Sequence, residues 1–118
     1  MPIAVSVTST TTERYPEETE VAVYFCCLEA LQNAVKHGGA HGAARVHLFD
    51  HDGVLCFEVS DTGGGFDVGT ASDGTGIANM RDRIEAIGGT LHVDSVLGEG
   101  TSVRGTAGAT LTAQGAVG

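Results

Sequence analysis

The sequence predicts an α+β fold in which helices pack on one face of a mixed, mostly antiparallel sheet. Short stretches that alternate apolar and polar residues indicate strands, and two longer stretches repeat their apolar residues at helical spacing. These segments follow the order strand, helix, strand, strand, glycine-rich loop, helix, strand, strand. We therefore expect a single sheet covered by two helices.

Length and charge limit the possible functions. A chain of 118 residues is large enough for one core and corresponds to one domain. The net charge of −9, with six basic residues, argues against general binding to nucleic acid or to an anionic membrane. The sequence shows no apolar run of about 20 residues and no signal peptide, so we expect a cytoplasmic domain.

The first two elements are a strand over residues 3–9 and a long helix that starts near Pro16 and runs to about His37. The pair Gly38-Gly39 is suited to end the helix. Acidic side chains favour the positive end of the helix dipole, and three occur at its start, namely Glu17, Glu18 and Glu20.

The long helix has two contrasting faces. We predict that its apolar face packs on the core, through Tyr24, Leu28, Leu31 and Val35. A polar stripe runs along the opposite side, formed by Glu29, Asn33, Lys36 and His37. Phe25 and Cys26 lie beside that stripe, so the helix is apolar almost all round, which is typical of a buried helix. Buried polar groups need partners, and a ligand with phosphates and a metal would supply them. An ordinary solvated stripe is the alternative.

The elements after the long helix follow from alternation, turn residues and one further helical face. The second helix is expected to bury Ile77, Met80, Ile84 and Ile87. In order, we predict a strand over 44–49, a hairpin turn at 52–53, a strand over 55–60, a glycine-rich loop over 61–73, a helix over 76–87, and strands from 91 and over 101–106 joined by 97–100. The tail from Ala107 is expected to fray.

Cysteines and histidines do not form a recognisable metal or redox motif. Cys26, Cys27 and Cys56 lack Cys-x-x-Cys spacing, and we interpret them as buried thiols in a reducing compartment. His37 and His41 have i, i+4 spacing, but the glycines between them should end the helix. We therefore expect no structural metal site.

The glycine-rich loop opens with Asp61, just past a strand end, followed by Thr62-Gly63-Gly64-Gly65-Phe66. An ionised Asp only accepts hydrogen bonds, so in a cleft it could accept from the exocyclic amine of adenine. Guanine would present a carbonyl oxygen there and would be rejected. The alternative is an Asp that simply opens a glycine turn.

A second glycine pair, Gly74-Thr75-Gly76-Ile77, opens the second helix. Backbone N–H groups at a helix start can bind phosphate, although a flexible loop would have the same residues. Lys36 is the only lysine and no Walker motif precedes it, and no Gly-x-Gly-x-x-Gly follows a strand. These observations exclude two other phosphate-binding motifs.

The motifs together are more specific than each alone. Their fixed order is Glu29…Asn33…Lys36-His37, then Asp61-x-Gly63-x-Gly65-Phe66, then Gly74-x-Gly76-Ile77-x-Asn79-Met80-Arg81-Asp82-Arg83, then Gly98-Glu99-Gly100-Thr101. This order resembles the catalytic ATP-binding domain of sensor histidine kinases, in the GHKL ATPase superfamily. The Asn-Met-Arg-x-Arg stretch resembles the subgroup that pairs with helix-turn-helix response regulators. The resemblance covers residues 16–106 and implies a Bergerat-type two-layer α/β sandwich, with the domain at 1–106 and a flexible tail at 107–118.

The resemblance also implies residue roles. Glu29 and Lys36 would be catalytic, and Glu29 matches the acid that is proposed as general base in relatives. Asn33 would bind Mg²⁺. Asp61 would bind adenine. The remaining nucleotide contacts would be made by Lys36 and His37 on the phosphate side, by Gly63 and Gly65 at the adenine pocket, by Gly74, Thr75, Gly76 and Ile77 at the lid over 67–73, and by Thr101 under the adenine.

The implied cofactors are ATP and Mg²⁺. The implied partners are a dimerisation domain with the phosphoaccepting histidine, absent from this chain, and a downstream response regulator. We expect a monomer in isolation and a dimer in the full kinase, which can be anchored to a membrane. An anti-sigma-factor-type serine kinase of the same superfamily and a non-catalytic ATP-binding interaction module are the alternatives.

Overall fold

A computed structural model describes residues 4–11, 14–37, 42–62, 76–96 and 98–107, with only the backbone of His37. The predicted order of elements is confirmed. These elements are β1 (Ala4–Ser9), α1 (Glu17–His37), β2 (Ala43–His51), β3 (Val54–Asp61), α2 (Ile77–Ala86), β4 (Thr90–Val96) and β5 (Gly100–Thr106).

The five strands form one sheet in the order β1-β2-β3-β5-β4. β1 is parallel to β2, because α1 connects them, and the other neighbouring strands are antiparallel. The β2–β3 hairpin turns at Asp52 and Gly53, whose φ angles of 54° and 79° are both positive. An Asp-Gly pair favours this backbone conformation, which matches the twist of the flanking strands.

Both helices pack on the same face of the sheet. α1 contacts β2 and β3, α2 contacts β4, and the two helices contact each other. Their apolar side chains share one core with an inward row of valines from neighbouring strands, formed by Val46, Val59 and Val103. The fold is therefore the predicted two-layer sandwich. Neither helix is long and apolar enough to cross a membrane, within the part of the chain that the structure describes.

The predicted core face of α1 is wrong for three of its four residues, because only Leu31 packs, partly buried, against the core. Tyr24, Leu28 and Val35 are 67%, 40% and 53% exposed. The buried face instead carries mostly small side chains, namely Ala22, Val23, Cys26, Ala30 and Ala34. Small residues let the helix approach the sheet and α2 closely, and this close packing outweighs the larger apolar surface of the exposed residues. The rotation also turns Asn33 of the polar stripe inward, while Lys36 stays exposed.

The beginning of α1 is fixed to the sheet by Tyr15. Its buried hydroxyl donates a hydrogen bond to Asp50 Oδ2 at 3.1 Å. Its backbone N–H donates to Glu20 Oε2 at 3.1 Å, and the Arg14 guanidinium donates two further bonds to the Glu20 carboxylate, at 2.9 and 2.8 Å. These hydrogen bonds, first those from Arg14, lower the pKa of Glu20 to about 2. The carboxylate is thus ionised in the folded protein well into the acid range.

The second half of the chain mostly agrees with the sequence. α2 buries Ile77, Met80 and Ile84 as predicted, and Ile87 packs partly buried against the core. Ala107 differs from the prediction, because it is buried and its N–H donates to Leu55 O at 2.8 Å. The hydrogen bonding between β5 and β3 therefore extends to the first residue of the predicted tail, and residues 108–118 lie outside the described part.

Candidate functional site

The polar stripe of α1 provides the first part of the site. Asn33 is only 5% exposed, Glu29 is partly buried and Lys36 is exposed. The stripe is thus most buried at Asn33 and open to solvent at Lys36, which is expected where a helix borders a binding cleft. The arrangement argues against the alternative of an ordinary solvated stripe, because the amide of Asn33 faces the interior.

Glu29 meets the second glycine motif at the start of α2. Gly76 is the N-cap residue of α2, with φ 71° and ψ 8°. A Cβ atom built on Gly76 would overlap Glu29 Oε1 and would lie 3.2 Å from Glu29 Cδ. Position 76 therefore requires a glycine for two reasons: its backbone is left-handed, and the Glu29 carboxylate occupies the space that a side chain would need.

Asp61 and Thr101 form a second pair at the edge of the sheet. They are directly opposite each other where β3 ends and β5 begins. Gly100, with φ 96°, allows this close approach, because a Cβ there would overlap the backbone carbonyl oxygen of Asp61. The hydroxyls of Thr101 and Ser95 are 2.7 Å apart, and Thr101 is buried. The pairing fixes the backbone of both predicted adenine-binding residues.

The strand that carries Asp61 is also fixed from its other side. Thr62 follows β3, and its backbone N–H donates to Ala43 O at 3.0 Å. Its hydroxyl accepts a hydrogen bond from the backbone N–H of Ala43 at 3.1 Å. β2 and β5 therefore hydrogen-bond the end of β3 from both sides, so the backbone is fixed at the point where the glycine-rich segment begins.

Contacts between the helices position α2 relative to α1. The Cys26 thiol donates to Met80 O at 3.6 Å, and the Arg83 guanidinium carbon lies 4.2 Å above the centre of the Phe25 ring. Burial raises the pKa of Cys26 to about 12, so this thiol stays protonated at neutral pH and is not a nucleophile. Phe25 and Cys26 thus have a structural role beside the polar stripe.

The two pairs of site residues are connected through the core. Ala30, Val59, Ile77 and Val103 belong to one buried cluster, and each lies within two residues of Glu29, Asp61, Gly76 or Thr101. The helix pair and the strand pair are thus parts of one packed unit.

Several predicted residues lie outside the described part, namely Gly63, Gly65, Gly74 and Thr75, together with the side chain of His37. Among the described residues, no cluster of three His, Cys, Asp or Glu side chains could hold a metal.

An apolar cleft of about 370 Å³ lies elsewhere, between α1 and the β1–β2 edge of the sheet. Val7, Leu28 and Leu48 are among its lining residues. None of the predicted site residues lines it, so we do not assign it to the nucleotide.

Three structural features of the site were not predicted from the sequence. Gly100 admits Asp61, Ser95 fixes Thr101, and Arg83 stacks on Phe25. Gly100 and Arg83 both belong to the motifs quoted above, but the motifs do not indicate which residue each one contacts. Ser95 carries no sequence signal, because a serine in an alternating strand is common.

Comparison with known families identifies the domain. Residues 18–110 match the family of histidine kinase-, DNA gyrase B- and HSP90-like ATPases, which is most of the chain. The chain belongs to this family. The contact between Gly76 and Glu29 and the pair of Asp61 and Thr101 therefore lie in an ATPase domain of the histidine kinase type.

Two relatives identify the histidine kinase branch. The chain is 34% identical over 87 residues to the signal transduction histidine-protein kinase/phosphatase UhpB of Salmonella typhimurium, covering 74% of this chain and 17% of that protein. It is 36% identical over 98 residues to the oxygen sensor histidine kinase NreB of Staphylococcus carnosus, covering 81% and 28%. Both are histidine kinases by name, which favours the ATP-binding catalytic domain of a sensor histidine kinase over the serine kinase alternative. The chain spans less than a third of each relative.

Solved structures confirm the fold. The blue-light activated histidine kinase of Erythrobacter litoralis EL346 superposes with a TM-score of 0.78 at 26% identity, over 97% of this chain and 37% of that one. The catalytic domain of histidine kinase ThkA has a TM-score of 0.69 at 14% identity, over 88% and 76%. The second likeness concerns the fold alone.

Proposed function

We propose that this ATPase domain binds Mg·ATP between α1, the end of β3 and the start of α2, and transfers the γ-phosphoryl to a histidine on a separate dimerisation domain. The inward-facing Asn33, with Glu29 against the Gly76 helix start, is the observation that carries the proposal. A buried amide one helical turn from a carboxylate, beside a helix N-terminus, is suited to a metal–phosphate group.

Asp61 is the proposed adenine-binding residue. β2 and β5 hold its backbone, so its carboxylate would be positioned before the ligand arrives. As an ionised acceptor it would select the adenine amine and disfavour guanine. Thr101 would lie under the ring, and Gly63 and Gly65 would leave space for it.

The phosphates would lie near the start of α2. Gly74, Thr75, Gly76 and Ile77 would offer backbone N–H groups, and Lys36 and His37 would face the phosphates from α1. Asn33 would bind Mg²⁺ through its amide oxygen, as hard cations prefer, and the ion would neutralise charge on the transferred group. The domain's own residues bind and orient ATP, and the acceptor domain supplies the nucleophile.

The partner domains follow from the same proposal. A response regulator would receive the phosphoryl group from the acceptor histidine, and the full kinase would be a dimer through its dimerisation domain. This ATPase domain alone would be monomeric and cytoplasmic.

The decisive experiment is phosphoryl transfer in trans. The chain is incubated with Mg²⁺ and γ-labelled ATP, with and without the dimerisation segment of the kinase that contains it. We expect acid-labile label on the added segment and none on the five histidines of this chain, which are His37, His41, His47, His51 and His92.

Asp61→Ala provides the control, because it should reduce labelling of the segment at sub-saturating ATP. Stable label on a histidine of this chain would overturn the proposal. Label on a serine of a partner protein would support the anti-sigma-factor-type alternative instead.

A further inference from the structure

We propose that Ser95 is a positioning residue for adenine binding, because its hydroxyl orients the hydroxyl of Thr101 toward the Asp61 carboxylate. The inference rests on the proposed function, since Asp61 and Thr101 are the adenine residues of that proposal. The resemblance implies roles for these two residues and none for Ser95. Ser95 lies on the outer strand β4 and would act on the base only through Thr101.

The register of the sheet places the three side chains in one row. Ser95 lies directly opposite Thr101, and Thr101 lies directly opposite Asp61. Directly opposite residues of antiparallel strands point to the same face, with Cβ atoms about 4.5–5.5 Å apart. The next row on this face contains Val59 and Val103 of the core. The polar row therefore borders the core on the side of the sheet that the helices cover.

The contact between Ser95 and Thr101 is a short hydrogen bond. Their hydroxyl oxygens are 2.7 Å apart, which is a usual length for an O–H···O bond. The carbonyl oxygen of Gly100 is also near the Ser95 hydroxyl, but at 3.4 Å. Thr101 is only 8% exposed, and a buried hydroxyl needs hydrogen-bond partners within the protein. Ser95 supplies such a partner to Thr101.

The position of Asp61 determines which of the two hydroxyls donates. An ionised carboxylate only accepts hydrogen bonds, so the Thr101 hydroxyl interacts favourably with it when its hydrogen points toward β3. A hydroxyl has one hydrogen to donate. If Thr101 donated it to Ser95, a lone pair of Thr101 would face the carboxylate, which is unfavourable. Ser95 therefore donates to Thr101, and the hydrogen of Thr101 points to the Asp61 side of the row.

This order of donors has a consequence for adenine binding. A hydroxyl that points to the Asp61 carboxylate fixes its orientation, so that an oxygen stays directed at the exocyclic amine of adenine. β5 separates β4 from β3, and a strand spacing of about 4.8 Å puts β4 roughly 10 Å from β3. Ser95 is therefore too far from that amine for direct contact. Loss of its hydroxyl should weaken the bond to the amine and leave the other nucleotide contacts unchanged.

The test compares Ser95→Ala with the parent chain in calorimetric titrations of ADP and of purine riboside diphosphate, which lacks the exocyclic amine. We expect ADP to bind about 2- to 10-fold more weakly to the variant, the contribution of one hydrogen bond. We expect an unchanged affinity for the analogue, because it has no amine to donate to Asp61. A merely structural role of Ser95 would weaken both ligands by the same factor, and that result would overturn the inference.

Thr90→Ala is the matched control. Thr90 and Thr106 form a second hydroxyl pair between β4 and β5, with oxygens 2.9 Å apart, at the other end of the same pair of strands. Its loss should leave both affinities as in the parent. Ser95→Thr keeps the hydroxyl and should bind ADP as tightly as the parent. If Ser95→Ala does not fold, Ser95→Cys replaces it, because a thiol is only a weak donor.

A double-mutant cycle tests whether Ser95 acts through Thr101. Thr101→Val removes the hydroxyl and keeps the branched shape, and in this background Ser95→Ala should cause no further loss of ADP affinity. Equal losses in the two backgrounds would overturn the inference, as would an unchanged ADP affinity of Ser95→Ala alone. ADP binding by the parent keeps the proposed function intact in both cases. A parent chain that binds no ADP overturns both.

Discussion

Replacement of Asp61 by alanine tests the proposed adenine contact directly. The backbone of Asp61 pairs with Ala44 on β2 and with Thr101 on β5, so the substitution should leave the sheet intact. The carboxylate is partly buried, and a hydrogen bond to a charged group contributes ~1.5–3 kcal/mol. We therefore expect ATP and ADP to bind about 10- to 100-fold more weakly.

The assay is isothermal titration calorimetry with ATP, ADP and GTP in Mg²⁺. GTP should bind weakly to parent and variant alike. Asp94→Ala is the control, because it removes the same charge from an exposed position on β4, where its partner is Arg104 at 3.3 Å. Equal ATP affinity of Asp61→Ala and parent, in a variant that unfolds at the same denaturant concentration, would refute Asp61 as the adenine contact.

Three further substitutions test other parts of the structure. Asn33→Ala should leave ADP affinity in EDTA unchanged and reduce only the gain in ADP affinity that Mg²⁺ provides. An undiminished gain, measured by titration calorimetry, would exclude Asn33 as a Mg²⁺ ligand. Glu20→Gln should lower the free energy of unfolding above pH 4.5. The difference in this free energy between parent and variant should vanish as the pH falls from 4.5 to about 2, where the carboxyl of the folded protein protonates. Denaturation at several pH values measures this, and a pH-independent difference would contradict it. Gly105→Ala should lower the free energy of unfolding by ~1–3 kcal/mol, because the added Cβ overlaps the ring of Phe57, which is only 1% exposed. A second substitution, Phe57→Leu, should recover part of this loss.

Local signals explain why the order of elements could be predicted from the sequence. Alternation, the Asp52-Gly53 turn and helical spacing each act within a few residues, and all three are confirmed. The orientation of α1 could not be predicted in the same way. Large apolar residues such as Tyr24 carry the stronger hydrophobic signal, whereas the sheet and α2 select small residues such as Ala30 through close packing.

The site shows the same division between local and tertiary information. The motif order predicted which residues form it, and the polar stripe on α1 was predicted from helical spacing alone. The contact between Glu29 and Gly76 depends on how α2 docks on α1, which no local pattern contains. The roles of all the site residues stay predictions, and Gly63, Gly65, Gly74, Thr75 and the side chain of His37 lie outside the described residues.

The parallel pairing of β1 with β2 has a consequence for how the chain folds. β2 and β3 are joined by a two-residue turn and can pair early, at a small entropic cost of loop closure. β1 can pair only after α1 has formed and has carried the chain back across the sheet. Every residue of β1 is exposed, so the strand gains little from burial when it adds to the edge. β1 is therefore expected to join the sheet late in folding, on a core that β2, β3 and α1 have already assembled.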